Sequence, residues 1–431
     1  MTQSKHPIGL VSATTIVAAS MIGVGVFTTS GFALDALGSP SRVMLAWAIG
    51  SVIAMCGAVS YASLAQRFTE SGGEYLFLAR ALHPSAGLTA GFVSLLAGFT
   101  GPIAAAALGL EAYAGPLLFA PDHLPPPSTI AISVIVAAAM LNTFRVSMAA
   151  RVQDVIVLTK LALIVGFLVW SLMKIGSWST SAPNANQLEP LSLFTLANQL
   201  VWISFSFAGF NAAIYISGEI KNPQANVPRA IIAGTLLVSL IYLALNAVFV
   251  YAAPMETITS QDKISEVAAT AAQAIGGFGL EQLVRIAIAV ALATSVTAMM
   301  MTGPRVYAKM ADDGYMPSWF SFREQPPAIA VWFQAGLAIA VVAISQLKDL
   351  LSYLGLTLSL CSALAISTLF LLRARGQISK LPFWGIPPTV FIAATVGFGV
   401  LASWGNPIPA YAAVGTLLLG LAIYPFLRVK A

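Results

Sequence analysis

Long apolar runs alternate with short polar breaks along almost the whole of this chain. A helix needs about 20 apolar residues to cross about 30 Å of hydrocarbon, and run after run reaches that length. The breaks are rich in glycine, proline, serine and asparagine, as in LGSPSR, APDHLPPP and WGNPIP. The pattern predicts an all-α membrane protein with twelve transmembrane helices, at residues 8–35, 41–66, 84–116, 127–145, 150–175, 192–217, 228–253, 281–309, 327–345, 348–372, 384–403 and 408–427.

Composition excludes the common soluble classes of protein. Of the 431 residues, 58% are hydrophobic and 9% are charged, whereas soluble domains carry about a quarter charged residues. Such a chain does not fit a soluble enzyme or a nucleic-acid-binding protein. Its two cysteines lie in apolar runs and its three histidines lie outside them, so we expect no disulfide framework, metal site or other cofactor. The lipid bilayer is the first partner that the sequence predicts.

The basic residues divide unevenly between the two sets of loops. With the N-terminus in the cytoplasm, 15 of the 21 lysines and arginines fall on the cytoplasmic side. This excess predicts that both termini are cytoplasmic and that the protein is integral to the cytoplasmic membrane. The outer segment 254–280 is expected to carry a short helix, either a lid over the outer face or a plain surface helix. The opposite side holds five basic residues, namely Arg42, Lys174, Lys263, Arg285 and Lys348, and Lys160 alone lies within a span.

Two spans carry interruptions at mid-depth. Gly23 and Gly25 flank Val24 in the first span, and Ser204, Ser206, Gly209 and Asn211 occupy a similar depth in the sixth. Close helix packing through small residues would explain either interruption alone. Because five spans begin at each interrupted one, the pairing instead favours an inverted repeat with a binding site between its halves. The predicted units are residues 1–175 and 192–372, followed by two further spans in 384–431.

Unwound backbone inside a membrane needs a polar partner. Each unsatisfied N–H or C=O group costs several kcal/mol there, so such backbone must line a cavity or meet a ligand. The half-helix that starts near Val26 directs its positive N-terminal end towards this cavity, which suits a carboxylate. The carbonyls that end the preceding half-helices suit an ammonium. Both groups on one carbon describe an α-amino acid.

Lys160 is a cation placed deep in the fifth span. It follows Arg151 by nine residues, which puts it about 13 Å deeper at 1.5 Å per residue. A charge at that depth indicates function by default, although its stem could also reach a water-filled vestibule without a role. The ammonium could tie two helices together as a fixed cation, or it could exchange a proton. Its candidate acceptors in span eight are Thr294, Ser295 and Thr297, whereas Glu111 is expected at the outer interface.

Five motifs follow one another at fitting depths. They are IGVGVF at 22–27, RFTESGGEY at 67–75, ARVQD with the lysine at 150–160, SFAGFN and GEIKNPQANVPRAI within 206–231, and RVYAKMADDGYMP at 305–317. Through them the chain resembles the amino acid–polyamine–organocation superfamily of permeases over nearly its whole length. It is most similar to the neutral amino acid exchangers and their bacterial relatives. The resemblance implies the five-plus-five inverted-repeat fold of leucine-transporter-like proteins, with helices 1 and 6 unwound at mid-membrane.

The resemblance also implies a role for individual residues. The substrate carboxylate would bind backbone N–H groups, the amino group would bind carbonyls from both breaks, and an aromatic side chain would close over the substrate. Lys160 would occupy the place of a sodium ion in sodium-coupled relatives, which implies sodium-independent transport. The carboxylate would bind Gly23, Val24 and Gly25, and the amino group would bind Ser20, Met21, Phe205 and Ala208. Phe205 would also be the closing aromatic residue. The neighbours of Lys160 in span eight would be Ser295 and, less directly, Thr294.

The substrate class follows from one departure. Many relatives have an acidic residue just after the break in the sixth span, where this chain has Asn211. An amide there favours neutral amino acids, and we expect a small apolar pocket with Lys160 as its one mid-depth charge. Its expected lining residues are Gly98, Gly101, Ala104 and Ser359.

The predicted function is secondary transport of neutral amino acids by alternating access. Proton symport and amino acid exchange both remain open, and cationic amino acids, amines or polyamines are the alternative substrates. A channel is disfavoured because the sequence shows no filter loop or ring of charges. A receptor or enzyme is disfavoured because no acid–base pair, nucleophile motif or metal-ligand cluster lies at either face. The oligomeric state is left open.

Overall fold

A computed structural model describes residues 8–123, 125–144, 149–174, 176, 178, 190–260, 263–321 and 328–426. The side chains of the ARVQD motif lie outside the described part, as do Lys5, Arg145, Arg323, Arg428 and Lys430. Regular structure in the described residues is helical, apart from an isolated bridge between Ile8 and Ile220. The α-helices are α1 (Leu10–Met21), α2 (Val24–Leu37), α3 (Pro40–Arg67), α4 (Gly73–Ala81), α5 (Pro84–Val93), α6 (Gly101–Leu118), α7 (Thr129–Phe144), α8 (Ala149–Met173), α9 (Leu193–Ser206), α10 (Ala212–Tyr215), α11 (Pro223–Tyr251), α12 (Met255–Ile258), α13 (Val267–Asp312), α14 (Ala328–Ile344), α15 (Leu347–Ala374), α16 (Ile386–Gly405) and α17 (Ile408–Ile423).

Hydropathy and length mark many of these helices as membrane-spanning. Within the described residues, seven helical segments are long and apolar enough to cross a bilayer, and the bent pair α1 and α2 qualifies together as an eighth. Four further apolar helices have 10–17 described residues. A chain with this many apolar helices is an integral, multi-pass membrane protein.

The predicted interruption of the first span is confirmed. Helix α1 ends at Met21 and α2 begins at Val24 after a bend of 42°. Gly23 breaks the helix because its backbone is extended, with φ −136° and ψ −159°. The first N–H groups of α2 have no intrahelical partner, as in any helix. No side chain caps them either.

The segment predicted as the sixth span is interrupted as well. Helix α9 ends at Ser206, a turn follows, and the short helix α10 begins at Ala212. Gly209 makes this turn with φ +100°, a conformation that other residues rarely adopt.

The motif RFTESGGEY folds back into the protein instead of forming a simple loop. Gly72 and Gly73 turn the chain with positive φ values, and α4 follows at once with Glu74 and Phe77 buried on its inner face. A Cβ atom on Gly73 would lie 2.7 Å from ring atoms of Tyr215. The close approach that glycine permits therefore holds α4 against α10.

The segment 254–280 covers one side of the bundle, as one of its two expected forms requires. It contains α12 and the first part of α13, which bends at Gly277 (φ 69°, ψ −165°). Val267 is fully buried, and a Cβ on Gly31 of α2 would collide with the carbonyl of Ile264. We call the described residues of 254–276, namely 254–260 and 263–276, the lid, because this segment packs tightly on α2 at Gly31. Glu111 is the residue that the sequence analysis expected at the outer membrane interface. Its carboxylate caps α7 by accepting from the backbone N–H groups of Ser128 and Ala131 at 2.7 and 2.9 Å.

Candidate functional site

The two helix breaks open onto one cavity of about 1040 Å³. It runs from the breaks towards the side of the molecule on which α1 begins, which we call the N-terminal side, where Val11 and Glu219 line it. All of the predicted binding and coupling residues lie on its wall. They are Ser20, Met21, Gly23, Val24, Gly25, Phe205, Ala208, Asn211, Lys160, Thr294 and Ser295.

The start of α2 presents backbone donors to this cavity. The first N–H groups of a helix have no intrahelical acceptor, and here they belong to Gly23, Val24 and Gly25 on the cavity wall. The aligned peptide dipoles place partial positive charge at the same point. This end of the cavity is therefore built to hold an anionic group such as a carboxylate.

Tyr242 of α11 joins the ends of the two half-helices. Its hydroxyl oxygen lies 2.7 Å from the carbonyl oxygen of Met21 and 3.0 Å from that of Ser206. The hydroxyl donates to one of these carbonyls at a time, and both belong to the last residue of a half-helix. The sequence offered no signal for this tie, because Tyr242 is one aromatic residue within a long apolar run.

The carbonyls expected to bind an amino group differ in availability. That of Met21 already lies beside Tyr242, and that of Phe205 accepts from the N–H of Ala208 at 2.9 Å. In the described part of the chain, the carbonyls of Ser20 and Ala208 accept no hydrogen bond from the protein. These two carbonyls have the most capacity to accept from a ligand.

The breaks also touch each other reciprocally. A Cβ on Gly25, just after the first break, would lie 2.9 Å from Cα of Ser206, the last residue of α9. A Cβ on Gly209, just after the end of α9, would lie 2.7 Å from the carbonyl oxygen of Ser20 near the end of α1. Each break therefore packs against the end of the other half-helix.

Lys160 reaches the first break rather than span eight. Its ammonium donates to the carbonyl of Ile22, between the two halves of the first span. The hydroxyls of Thr294 and Ser295 instead donate to the carbonyl of Ala291, and that of Thr297 donates to Ala293. Each of these hydroxyls donates within its own helix, and in the described residues the hydrogen bond of Lys160 goes to Ile22 and not to any of them.

The expected lining of the side-chain pocket needs a correction in span three. Gly98 and Ser359 lie on the cavity wall, but Gly101 and Ala104 are buried away from it. A Cβ on Gly101 would meet the side chain of Leu354 in α15. The reason is a π-helical turn at Ser94–Thr100, which shifts the register of every later residue relative to an α-helix.

Glu74 is a cavity residue that the sequence analysis missed. It is 4% exposed and lines the cavity from α4, so Lys160 is not the one charge deep in the site. Its carboxylate accepts from Asn211 at 3.1 Å and from Ser362 at 3.0 Å, and also from Tyr61. The two glycines before Glu74 were the available signal, because glycine pairs mark turns tight enough to reverse the chain.

The side of the site opposite to the N-terminal side is closed. Tyr113 donates to the carbonyl of Phe27 at 2.7 Å, and Trp202 packs edge-on against Phe32 with ring centroids 5.9 Å apart. The lid covers α2 beyond these contacts at Gly31. In the described part of the chain, the cavity is therefore open on the N-terminal side and closed on the lid side.

Among the described residues, no group of three or more histidine, cysteine, aspartate or glutamate side chains is arranged to hold a metal ion. The chemistry that the site supports is reversible binding of a small polar molecule between two helix breaks, with Lys160 at the first break and Glu74 on the cavity wall.

Comparisons with known proteins identify the family of this chain. The chain is 26% identical to the large neutral amino acids transporter small subunit 2 of Mus musculus, over 97% of this chain and 80% of that protein. It is 24% identical to the Asc-type amino acid transporter 1 of Mus musculus, over 97% and 81%. It is 28% identical to the serine/threonine exchanger SteT of Bacillus subtilis, over 93% and 91%. These relatives are transporters and not enzymes. Because the amino acid permease family profile matches residues 8–427, this chain belongs to the amino acid permease family.

Proposed function

We propose that this protein is a sodium-independent secondary transporter of neutral amino acids, working by alternating access through proton symport or amino acid exchange. The observation that carries the proposal is the pairing of free N–H groups at Gly23–Gly25 with free carbonyls at Ser20 and Ala208 on one cavity wall. An α-amino acid presents the matching carboxylate and ammonium on one carbon. The names of the three relatives support the same substrate class.

The proposed architecture is twelve transmembrane helices with the five-plus-five inverted repeat. The helices that coincide with the predicted spans support the count, and the reciprocal packing of Gly25 and Gly209 supports the repeat. The two units would be residues 1–175 and 192–372, with 384–431 outside them. The excess of basic residues on one side supports cytoplasmic termini in the cytoplasmic membrane, so the N-terminal side would be the cytoplasmic side.

Lys160 is proposed to replace a sodium ion in coupling. Its ammonium lies on the carbonyl of Ile22 at the first break, where a cation satisfies backbone acceptors that unwinding has exposed. Thr294 and Ser295 share the cavity wall with it. A lysine fixed at this point makes an external sodium ion unnecessary.

A cationic substrate is the second candidate, because Glu74 lines the cavity. Its carboxylate could pair with an ammonium or guanidinium side chain. However, four protein donors already bind it, and Asn211 stands next to it on the cavity wall. A neutral side chain therefore fits this wall better than a cationic one.

A ligand screen followed by transport tests the proposal. In sodium-free buffer, neutral amino acids should raise the melting temperature of the purified protein, since a ligand that binds the folded state stabilises it. Proteoliposomes loaded with the same amino acid should then take up its radiolabelled form. Stabilisation by arginine, lysine or polyamines alone would favour the second candidate. A strict requirement for sodium would refute the role of Lys160, and the absence of any amino acid uptake would refute the function.

A further inference from the structure

A buried carboxyl group without a cation lies at one edge of the cavity. Glu74 is 4% exposed, and in the described part of the chain it belongs to none of the ion pairs. Glu70, four residues earlier in the same motif, is exposed and pairs with Arg80 at 2.7 Å. The contrast matters because a buried carboxylate without a counter-ion is costly, so Glu74 is a natural place for a proton.

The two carboxylate oxygens of Glu74 accept different numbers of hydrogen bonds from the described residues. Oε1 accepts from Tyr61, from Ser362 at 3.0 Å and from Asn211 at 3.1 Å. Among the described residues, Oε2 has only the thiol of Cys361, at 3.7 Å between Sγ and Oε2. A thiol is a weak donor. Oε2 therefore keeps lone-pair capacity for a proton even while Oε1 holds three donors.

The titratable groups that face Glu74 are neutral near physiological pH. The elements packed on α4 contribute two phenols and one thiol, and α5 contributes no charged side chain within its bounds. Two cations close to α4 in the fold act elsewhere, since Arg80 pairs with Glu70 and Arg375 donates to the carbonyl of Ala81 at 2.8 Å. His83, which caps α5, is exposed and bonded to Ser85. The facing groups are Tyr61 of α3, Tyr215 of α10 and Cys361 of α15.

Burial raises the pKa of Glu74 above its ordinary value, and the hydrogen bonds from Tyr61, Ser362, Cys361 and Asn211 offset part of this rise. A carboxyl with a raised pKa binds its proton at higher pH than an exposed glutamate does. It loses that proton as the pH rises through the raised value. The group can therefore load and release a proton at a pH above the ordinary range of a glutamate.

Asn211 connects Glu74 to the substrate site. It is the residue that precedes α10, it lines the cavity, and its amide donates to Oε1 of Glu74. A substrate that draws this amide towards itself takes one donor away from the carboxylate, which then binds a proton more readily. By linkage, a bound proton favours the substrate to the same degree.

We propose that Glu74 is the proton-binding residue of this transporter and that a proton moves together with each neutral amino acid. This inference rests on the proposed function and chooses symport between its two mechanisms. The proton passes from water on one side onto Oε2, forming an O–H bond, and returns to water on the other side when that bond breaks. No other bond changes. Since a zwitterion carries no net charge, each cycle moves the positive charge of the proton.

The experiment compares Glu74→Gln with the matched control Glu70→Gln in sodium-free proteoliposomes that contain a trapped pH dye. Glutamine keeps an acceptor oxygen for Tyr61, Ser362 and Asn211 but cannot release a proton. A proton gradient is imposed with the higher proton concentration outside. We expect the wild type and Glu70→Gln to use it to accumulate the amino acid in the lumen and to carry protons into the lumen. Glu74→Gln should lose both gradient-driven accumulation and proton flux.

A second variant covers the case in which Glu74→Gln fails to fold. Cys361→Ser places a stronger donor on Oε2, which stabilises the ionised form, so the pH profile of accumulation should move towards lower pH. Proton flux in Glu74→Gln equal to that of the wild type would overturn the inference, as would an unmoved profile in Cys361→Ser. Exchange by the wild type without proton flux would overturn it while leaving the proposed function intact. The absence of all uptake by the wild type would overturn the proposed function itself.

Discussion

Two glycines, Gly25 and Gly209, set how closely the broken helices approach each other. Gly25 lies within α2, where its backbone is helical and would suit alanine, so the reason for glycine there is contact alone. The added Cβ would lie 2.9 Å from Cα of Ser206. Real Cβ atoms do not come that close to backbone, so one of the two half-helices would have to move.

Replacing Gly25 by alanine should therefore weaken both folding and substrate binding. Overpacking of this kind costs about 1–3 kcal/mol, and it moves the N–H groups that face the cavity. We expect a lower melting temperature and a smaller stabilisation by neutral amino acids than in the wild type. Gly397→Ala in α16 is the matched control, because a Cβ there meets nothing within 4 Å. Equal melting and ligand response in the two variants would contradict the close contact of the breaks.

Single residues show what the sequence reveals and what it hides. The depth of Lys160 follows from counting along a helix, and the structure places its ammonium at the first break. Its partner could not be predicted, because the acceptor is the carbonyl of Ile22, and every residue has such a group. Glu74 was missed for a different reason. A charged stretch usually indicates a solvated loop, and the glycine pair before Glu74 signals a turn without showing that α4 then packs into the protein.

At the scale of elements, the start of α1 is tied to the segment that follows α10. The N–H of Ile8 donates to the carbonyl of Glu219 at 3.3 Å, and the N–H of Lys221 donates to the carbonyl of Ile8 at 2.9 Å. These bonds form the isolated bridge between Ile8 and Ile220. Because this bridge joins the N-terminal end of the first interrupted span to the segment that follows the second, we expect movement of α1 to be coupled to movement of α10.

Replacing Ile8 by proline should release α1 from this tie. Proline lacks the N–H group that binds Glu219, and loss of one such hydrogen bond costs about 1 kcal/mol. We expect faster hydrogen–deuterium exchange in residues 10–21, with little change in α16. Ile8→Val keeps the N–H group and should exchange like the wild type. Exchange in Ile8→Pro that matches Ile8→Val would show that the bridge does not restrain α1.

Hydropathy predicted the elements better than their register. Each of the twelve predicted spans coincides with helical structure, because burying apolar length in lipid decides where helices form. The breaks were predictable since glycine and polar residues recur at matching depths. The π-helical turn at Ser94–Thr100 was not predictable, because the hydrophobic pattern of this span is the same with or without it. After that turn Gly101 faces Leu354 of α15, and Ala104 is buried away from the cavity wall.

At the scale of the whole molecule, a buried ion cluster joins the lid to span eight. Arg285 of α13 donates to Glu266 at 2.6 Å and to Glu281 at 2.9 Å, and all three side chains are buried. Nη1 of Arg285 has no hydrogen-bond partner among the described residues. The sequence counted Arg285 merely as a basic residue on the outer face. In the fold, its bond to Glu266 holds the lid closed over α2.

Neutralising Glu266 should shift the molecule towards opening on the lid side. Hydrogen bonds to charged groups contribute about 1.5–3 kcal/mol, so Glu266→Gln should change the ratio of closed to open forms by about ten- to a hundredfold. A cysteine at Thr29, which is fully buried on α2 beneath the lid, can report this opening in a Cys56→Ser background. We expect a membrane-impermeant maleimide, added from the lid side, to label it faster in Glu266→Gln.

Glu256→Gln is the control for that measurement, since Glu256 is an exposed acid of the same lid. Its labelling rate should equal that of the parent. Faster labelling in both variants would mean that the lid responds to its overall charge and not to the bond with Arg285. Equal, slow labelling in all three proteins would mean that the ion cluster does not control the lid. In that case closure would rest on the backbone contact between Gly31 and Ile264, which a change of side-chain charge leaves in place.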